Sequence, residues 1–247
     1  MRMTRSIAFT NTREDGFTLT ELLVVIVTVA VLGVLLLPAI AGTKPNSQAF
    51  QCLENLRQLT LGWQMYAEDN NGMLAPNGQE STQARLLPTD PSYLPGGVNS
   101  QWCPGLVNAF NALAGGFIKA GLIYPYVNNT NLYRCPSDLK TFLHLGINYP
   151  QARSYSMNCC IAPLPPPVAW NGPGNRVFKK DTDFTLPGPA MTFVLIDENE
   201  NSINDTLFCN SPTQPNWWQD VPATRHSNAG SLSLADGFPE QLFWRNG

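Results

Sequence analysis

The stretch from Phe17 to Ile40 reads FTLTELLVVIVTVAVLGVLLLPAI, and Glu21 is its one ionisable side chain. The next charge along the chain is Lys44. As a helix this stretch would run ~36 Å, against ~30 Å for the hydrocarbon core of a bilayer. A helix apolar on every face has no side to turn towards water. Residues 17–43 are therefore read as a transmembrane helix, which sets the rest of the organisation: a leader over 1–16 and an exported domain over 44–247.

The leader, MRMTRSIAFTNTREDG, carries Arg2, Arg5 and Arg13 against Glu14 and Asp15, and the far flank offers only Lys44. The positive-inside bias then keeps the N-terminus cytoplasmic and exports the C-terminal remainder of the chain. A second processing route stays open. Ala39-Ile40-Ala41 has the small-residue spacing of a signal-peptidase site, and cleavage after Ala41 would release a secreted soluble protein. Against that route stand the length of the apolar run and a carboxylate near its start.

A chain of 247 residues holds one such segment and one domain of ordinary size. Apolar residues at 43% suffice for a core, which excludes wholesale disorder. Net charge is -3 with no basic run, so a nucleic-acid surface is not expected. The six cysteines (Cys52, Cys103, Cys135, Cys159, Cys160, Cys209) form no CxxC pair, and there are two histidines. The common zinc spacings are thus missing, and disulfides in an oxidising compartment are the expected use.

Pro38, Gly42 and Pro45 are expected to interrupt the helix, since proline removes a helical hydrogen bond and crowds the previous turn. A second helical pattern comes next: Phe50, Leu53, Leu56, Leu59, Trp63 and Tyr66 recur at steps of three and four, up to Asn70-Asn71-Gly72. Residues 73–190 read as loops, short helices and a few strands, with a short helix around Leu106–Leu113. Met191–Ile196 is the best buried strand. Ser231–Leu234 and Glu240–Trp244 make a hairpin turned by Asp236-Gly237.

The hexapeptide Gly16-Phe17-Thr18-Leu19-Thr20-Glu21 resembles the prepilin cleavage motif. In that family a dedicated peptidase cuts after the glycine and methylates the new N-terminal Phe, and the fifth mature residue is a glutamate. Here Phe17 would be first and Glu21 fifth. The segments CLENLRQLTLGWQMYAEDNNG (52–72), YRCPSD (133–138), RSYSMN (153–158) and IDENENSIND (196–205) also look like parts of a large bacterial group of pseudopilin-like proteins. RHSNAGSLSLADG (225–237) is similar to the group's H-X9-DG signature, with His226, nine residues, then Asp236-Gly237.

The resemblance implies an α+β fold: a long N-terminal helix, transmembrane then exported, packed on a small antiparallel sheet with long loops. It implies a structural subunit of a type II secretion or type IV pilus-like assembly, in the inner membrane with the domain periplasmic or extracellular. The expected partners are the prepilin peptidase and other pilin-like subunits, with Glu21 pairing to a neighbour's amine. It also implies a disulfide between Cys52 and Cys135, which lie in matching segments.

No enzymatic role is expected. His226 and Asp236 lack a GxSxG or comparable nucleophile element, and His144 is the only other imidazole. They are read as structural: His226 bonded to a neighbouring loop, Asp236-Gly237 in a turn. Asp197, Glu198, Glu200 and Asp205, interleaved with asparagines, form an oxygen-rich loop of the kind that holds calcium, with Asp197, Glu198 and Asp205 as its candidate ligands. Trp217-Trp218 could meet a carbohydrate or a partner. An anchored binding protein or enzyme acting through these groups is the alternative from a different class.

Overall fold

Apolar residues on one face of a helix and alternating residues on strands must bury against each other, and here they do so around the helix Lys44–Asp69. The computed structural model describes residues 18–41, 44–78, 88–105, 107, 114–164, 176–210 and 218–244. The leader with Gly16 and Phe17, the segment expected as a short helix (Leu106–Leu113, apart from Val107) and Trp217 lie outside the described residues. Two compact units divide at Lys44/Pro45.

In the first unit, α1 spans Leu19–Ala41. Its start is a capping box. Glu21 Oε2 accepts from the Thr18 backbone N–H at 2.8 Å and from the Thr18 hydroxyl at 2.7 Å, while the Glu21 N–H donates to Thr18 Oγ1 at 3.3 Å. Leu22, Val24, Ile26 and Leu32 are exposed. Pro38 lies inside the helix and does not end it.

In the second unit, α2 (Lys44–Asp69) is amphipathic. Its buried face runs Cys52, Leu56, Leu59, Trp63 and Ala67, at steps of four, three, four and four. Leu56, Leu59 and Trp63 of the expected stripe lie on this face, whereas Phe50 is 69% exposed and Leu53 and Tyr66 are half-buried. Short helices α3 (Ala114–Ala120) and α4 (Tyr124–Val127) come after it.

Among the described residues the strands of this unit are β1 (Thr141–His144), β2 (Ile147–Pro150), β3 (Tyr155–Asn158), β4 (Phe193–Asp197), β5 (Leu207–Phe208), β6 (Ala229–Leu234) and β7 (Pro239–Phe243). β1 and β2 form a separate hairpin whose two turn residues, Leu145 and Gly146, have φ of 50° and 81°. Positive φ at both positions matches the twist of the flanking strands. The main sheet has the order β5-β3-β4-β6-β7. Its central strand is β4, beginning at Phe193 because Pro189–Met191 is a 3-10 turn.

One face of the sheet meets α2. Thr60 donates its hydroxyl to Ser233 Oγ at 2.6 Å, and Gln64 donates to the Ala235 carbonyl at 3.0 Å. Tyr155, Met157 and Leu195 join the α2 residues in the main core, with Trp102 stacked on Tyr133 at 6.2 Å. On the other face Ile196, Phe208 and Leu232 form a smaller cluster.

Two expectations are overturned. The fold is not one long helix on a small antiparallel sheet. The N-terminal helical stretch is divided between two units, and the main sheet is mixed, because β5 runs parallel to β3. The physical reason is the loop after β4, which carries the chain across to the far side of β3. There Arg153 donates to the Asp205 carbonyl at 2.7 Å and Asp205 Oδ1 accepts from the Leu207 N–H at 2.9 Å. The transmembrane helix and the single-pass inner-membrane location also fall. Among the described residues no helix is long and apolar enough to cross a membrane.

The β6–β7 turn is a three-residue loop. Gly237 donates to the Leu234 carbonyl at 2.9 Å, Leu234 donates to Phe238 O at 2.9 Å, and Asp236 Oδ1 accepts from the Phe238 N–H at 3.1 Å. Gly237 has φ of 95°, where a β-branched side chain is strained. Gly237→Val is expected to cost ~1 kcal/mol or more, and Gly237→Asn markedly less. Chemical denaturation of the two variants checks this, and equal stabilities would remove the left-handed requirement.

Candidate functional site

The sequence Asp197-Glu198 ends β4, and Arg225-His226 precedes β6, the neighbouring strand. The pairing of these strands brings both dipeptides to the same end of the sheet. Arg225 is nearly buried and forms ion pairs with Asp197, with Asp138 at 3.6 Å and with Glu200 at 2.9 Å; it also donates to the Glu198 carbonyl at 2.9 Å. Burial pushes the Asp197 carboxyl up to about 6, against the opposing pull of Arg225 and His226.

Four groups that could ligate a metal converge beside this pair. Cys52 comes from α2, Cys135 from the turn after Tyr133, Asp197 from β4 and His226 from the segment before β6. Their ligand atoms all lie within 4.8 Å of one another, and all four residues are buried. Cys52 Sγ lies 3.7 Å from Asp197 Oδ2, and Cys135 Sγ lies 3.3 Å from His226 Nε2. The Tyr155 hydroxyl donates to Cys52 Sγ at 3.2 Å. Ser154 fixes the Cys135 loop: its hydroxyl oxygen accepts from the Cys135 N–H at 3.1 Å and its proton goes to Asp138 Oδ2 at 2.6 Å. The contact with Cys52, then burial, pushes the Cys135 thiol up. A cleft of about 620 Å³, lined by Gln51, Asn55, Arg134, Asp138 and Gln151 among others, opens beside Cys135.

The residues singled out from sequence fall in several places. Cys52 and Cys135 are neighbours, as free thiols. His226 faces Cys135, whereas Asp236 sits in the distant β6–β7 turn, so the two signature residues do not share a site. The three carboxylates offered as calcium ligands separate. Asp197 turns to Arg225 and the thiols, Glu198 accepts from the Ser202 hydroxyl at 2.9 Å, and Asp205 caps Leu207. Trp218 is 52% exposed. Glu21 belongs to the first unit and is held by Thr18. What sequence reasoning missed is the grouping itself, together with Arg225 and Tyr155.

No family model, no curated protein and no solved structure matches the chain.

Glu198 has a separate consequence for stability. Burial, reinforced by Asp220, raises its carboxyl from 4.5 to about 8. A raised carboxyl favours the folded state fully below pH 4.5, and that contribution drains away as pH climbs towards 8. Asp197 and Asp220, both raised to about 6, add to the same decline. One group changes stability by at most ~1.4 kcal/mol per pH unit. Glu198→Gln is expected to flatten the fall between pH 5 and 8 by on the order of 1 kcal/mol or more. Urea unfolding at several pH values measures it, and parallel curves for the two proteins would contradict the assignment.

Proposed function

We propose that the chain is a pilin-like structural subunit, of the pseudopilin kind, in a type II secretion or type IV pilus-like assembly. One observation carries the reading: Gly16-Phe17 stands directly before an apolar helix whose fifth position from Phe17 is a lone Glu21. A peptidase cut after Gly16 would place a new amine four residues from that carboxylate. Two features of the first unit support the reading. Helix α1 presents apolar side chains such as Leu22, Val24 and Ile26 without cover from its own unit. Each such side chain buried against a neighbouring subunit contributes ~1.5–3 kcal/mol. In addition, both Thr18 bonds go to Glu21 Oε2. The other carboxylate oxygen is left to take a proton donor from a second chain.

The partners are then the processing peptidase and other pilin-like subunits, and the second unit is the head displayed by the assembly. Mass spectrometry of the protein from its native cells is expected to find an N-terminal methylated Phe17. A mature chain beginning at Gly42 would sink the reading. Glu21→Gln separates two roles of this side chain. Glutamine preserves the capping box with Thr18 but not the charge. The variant is expected to keep its helix content by circular dichroism and to lose crosslinking to other subunits. Unchanged crosslinking would leave Glu21 as a helix cap and nothing more.

A further inference from the structure

We propose that Cys52, Cys135, Asp197 and His226 form a closed structural zinc site that fastens helix α2 to the sheet. The proposal stands on this cluster alone and not on the subunit reading. Zinc takes four ligands at the corners of a tetrahedron, with bonds of ~2.0–2.3 Å to nitrogen, oxygen and thiolate sulfur, so that ligand atoms stand ~3.3–3.8 Å apart. The contacts of 3.3 Å from Cys135 Sγ to His226 Nε2 and 3.7 Å from Cys52 Sγ to Asp197 Oδ2 fall in that range. All six separations are under 4.8 Å. Two sulfurs and an imidazole select a borderline-soft ion over calcium or magnesium, which prefer shells of oxygen.

The surroundings fit the same ion. Two thiolates, one carboxylate and a neutral imidazole carry three negative charges, so a bound Zn²⁺ leaves one in excess. The nearly buried Arg225 guanidinium, paired with Asp197 and shared with Asp138 and Glu200, stands against it. Arg225 takes Asp197 Oδ1, and the other oxygen, Oδ2, is the one facing Cys52. A single-oxygen carboxylate ligand results. The Tyr155 hydroxyl steadies the Cys52 sulfur, as partners outside the ligand set do at metal sites. On binding, two thiol protons leave for solvent, and the cleft beside Cys135 supplies the way in. With four protein ligands no position remains for a substrate, so the role is structural.

The test uses the full chain, purified under reducing conditions and reconstituted with equimolar zinc. Elemental analysis is expected to give one zinc per chain, and a chelator is expected to lower the melting temperature by several degrees. Cobalt in place of zinc is expected to give the intense visible bands of a tetrahedral site with a thiolate charge-transfer band. This measurement needs no variant and survives if substitutions impair folding. Cys135→Ser and His226→Gln are expected to lose the metal and these bands, while Cys159→Ser, altered elsewhere in the domain, keeps both. Equal zinc in Cys135→Ser, absence of metal after reconstitution, or peptide mapping of the native protein that joins Cys52 to Cys135 in a disulfide would each overturn the proposal.

Discussion

Arg225 carries a permanent positive charge into a place where its side chain is 8% exposed and that of its partner Asp197 is fully withdrawn from water. Desolvating two ions costs several kcal/mol each before any attraction is counted. Such a pair persists only where geometry returns most of that cost. Here the return comes from many directions: Asp197, Asp138, Glu200 and the Glu198 carbonyl all meet one guanidinium. These partners come from the loop before β1, the end of β4 and the loop beyond it. The arginine therefore fixes the relative position of three chain segments, and the end of the sheet beside α2 takes its shape from it. Removing the cation alone would strand Asp197 as an uncompensated buried charge, which typically costs 3–5 kcal/mol.

The helix can approach that end of the sheet because the facing strand is made of small residues. Ser231 and Ser233 of β6 are fully buried yet occupy little volume, and Thr60 on α2 bonds the second of them directly. The bulk is supplied from the helix side and from the neighbouring strands, by Leu56, Leu59, Trp63, Tyr155 and Leu195. An alternation of serine and leucine in a strand is usually taken as a wet face and a dry one. In β6 both faces are dry, because Leu232 closes the second cluster with Ile196 and Phe208 while the serines lie under α2.

Periodicity found the strong elements and lost those whose signal is chemical or local. The helix over residues 50–69, the β4 strand and the β6–β7 hairpin were legible because burial repeats along each of them. The two ends of the buried face of α2 were not, because Cys52 and Ala67 extend the stripe of Leu56, Leu59 and Trp63 without a large apolar side chain to mark them, although small or sulfur-bearing residues bury at least as readily. β1 and β2 went unseen since Leu145-Gly146 lacks the asparagine or aspartate that marks a two-residue turn. Thr18-X-X-Glu21 was a visible capping box, but the question of charge in an apolar run hid it. The cluster of Cys52, Cys135, Asp197 and His226 had no local signature at all. Its members are scattered from one end of the domain to the other, and only strand order brings them together. The membrane reading rested on a count of apolar residues, and among the described residues no helix is long and apolar enough to cross a membrane.

The order of the strands has a consequence for how the domain comes into being. β4 occupies the centre of the sheet, yet one of its two neighbours, β6, lies beyond residue 228, and β7 comes later still. The bond from Thr60 to Ser233 spans 173 positions. During synthesis, then, α2 emerges early and waits for the last of its cover, since Ser233 and Ala235 leave the ribosome near the end. Contacts this distant in sequence close slowly, and the waiting surface is prone to wrong association. A nascent chain interrupted before residue 225 would lack Ser233 beneath Thr60 and would leave Asp138, Asp197 and Glu200 without Arg225. An incomplete copy of the domain thus leaves part of the α2 face open to water that the finished sheet closes.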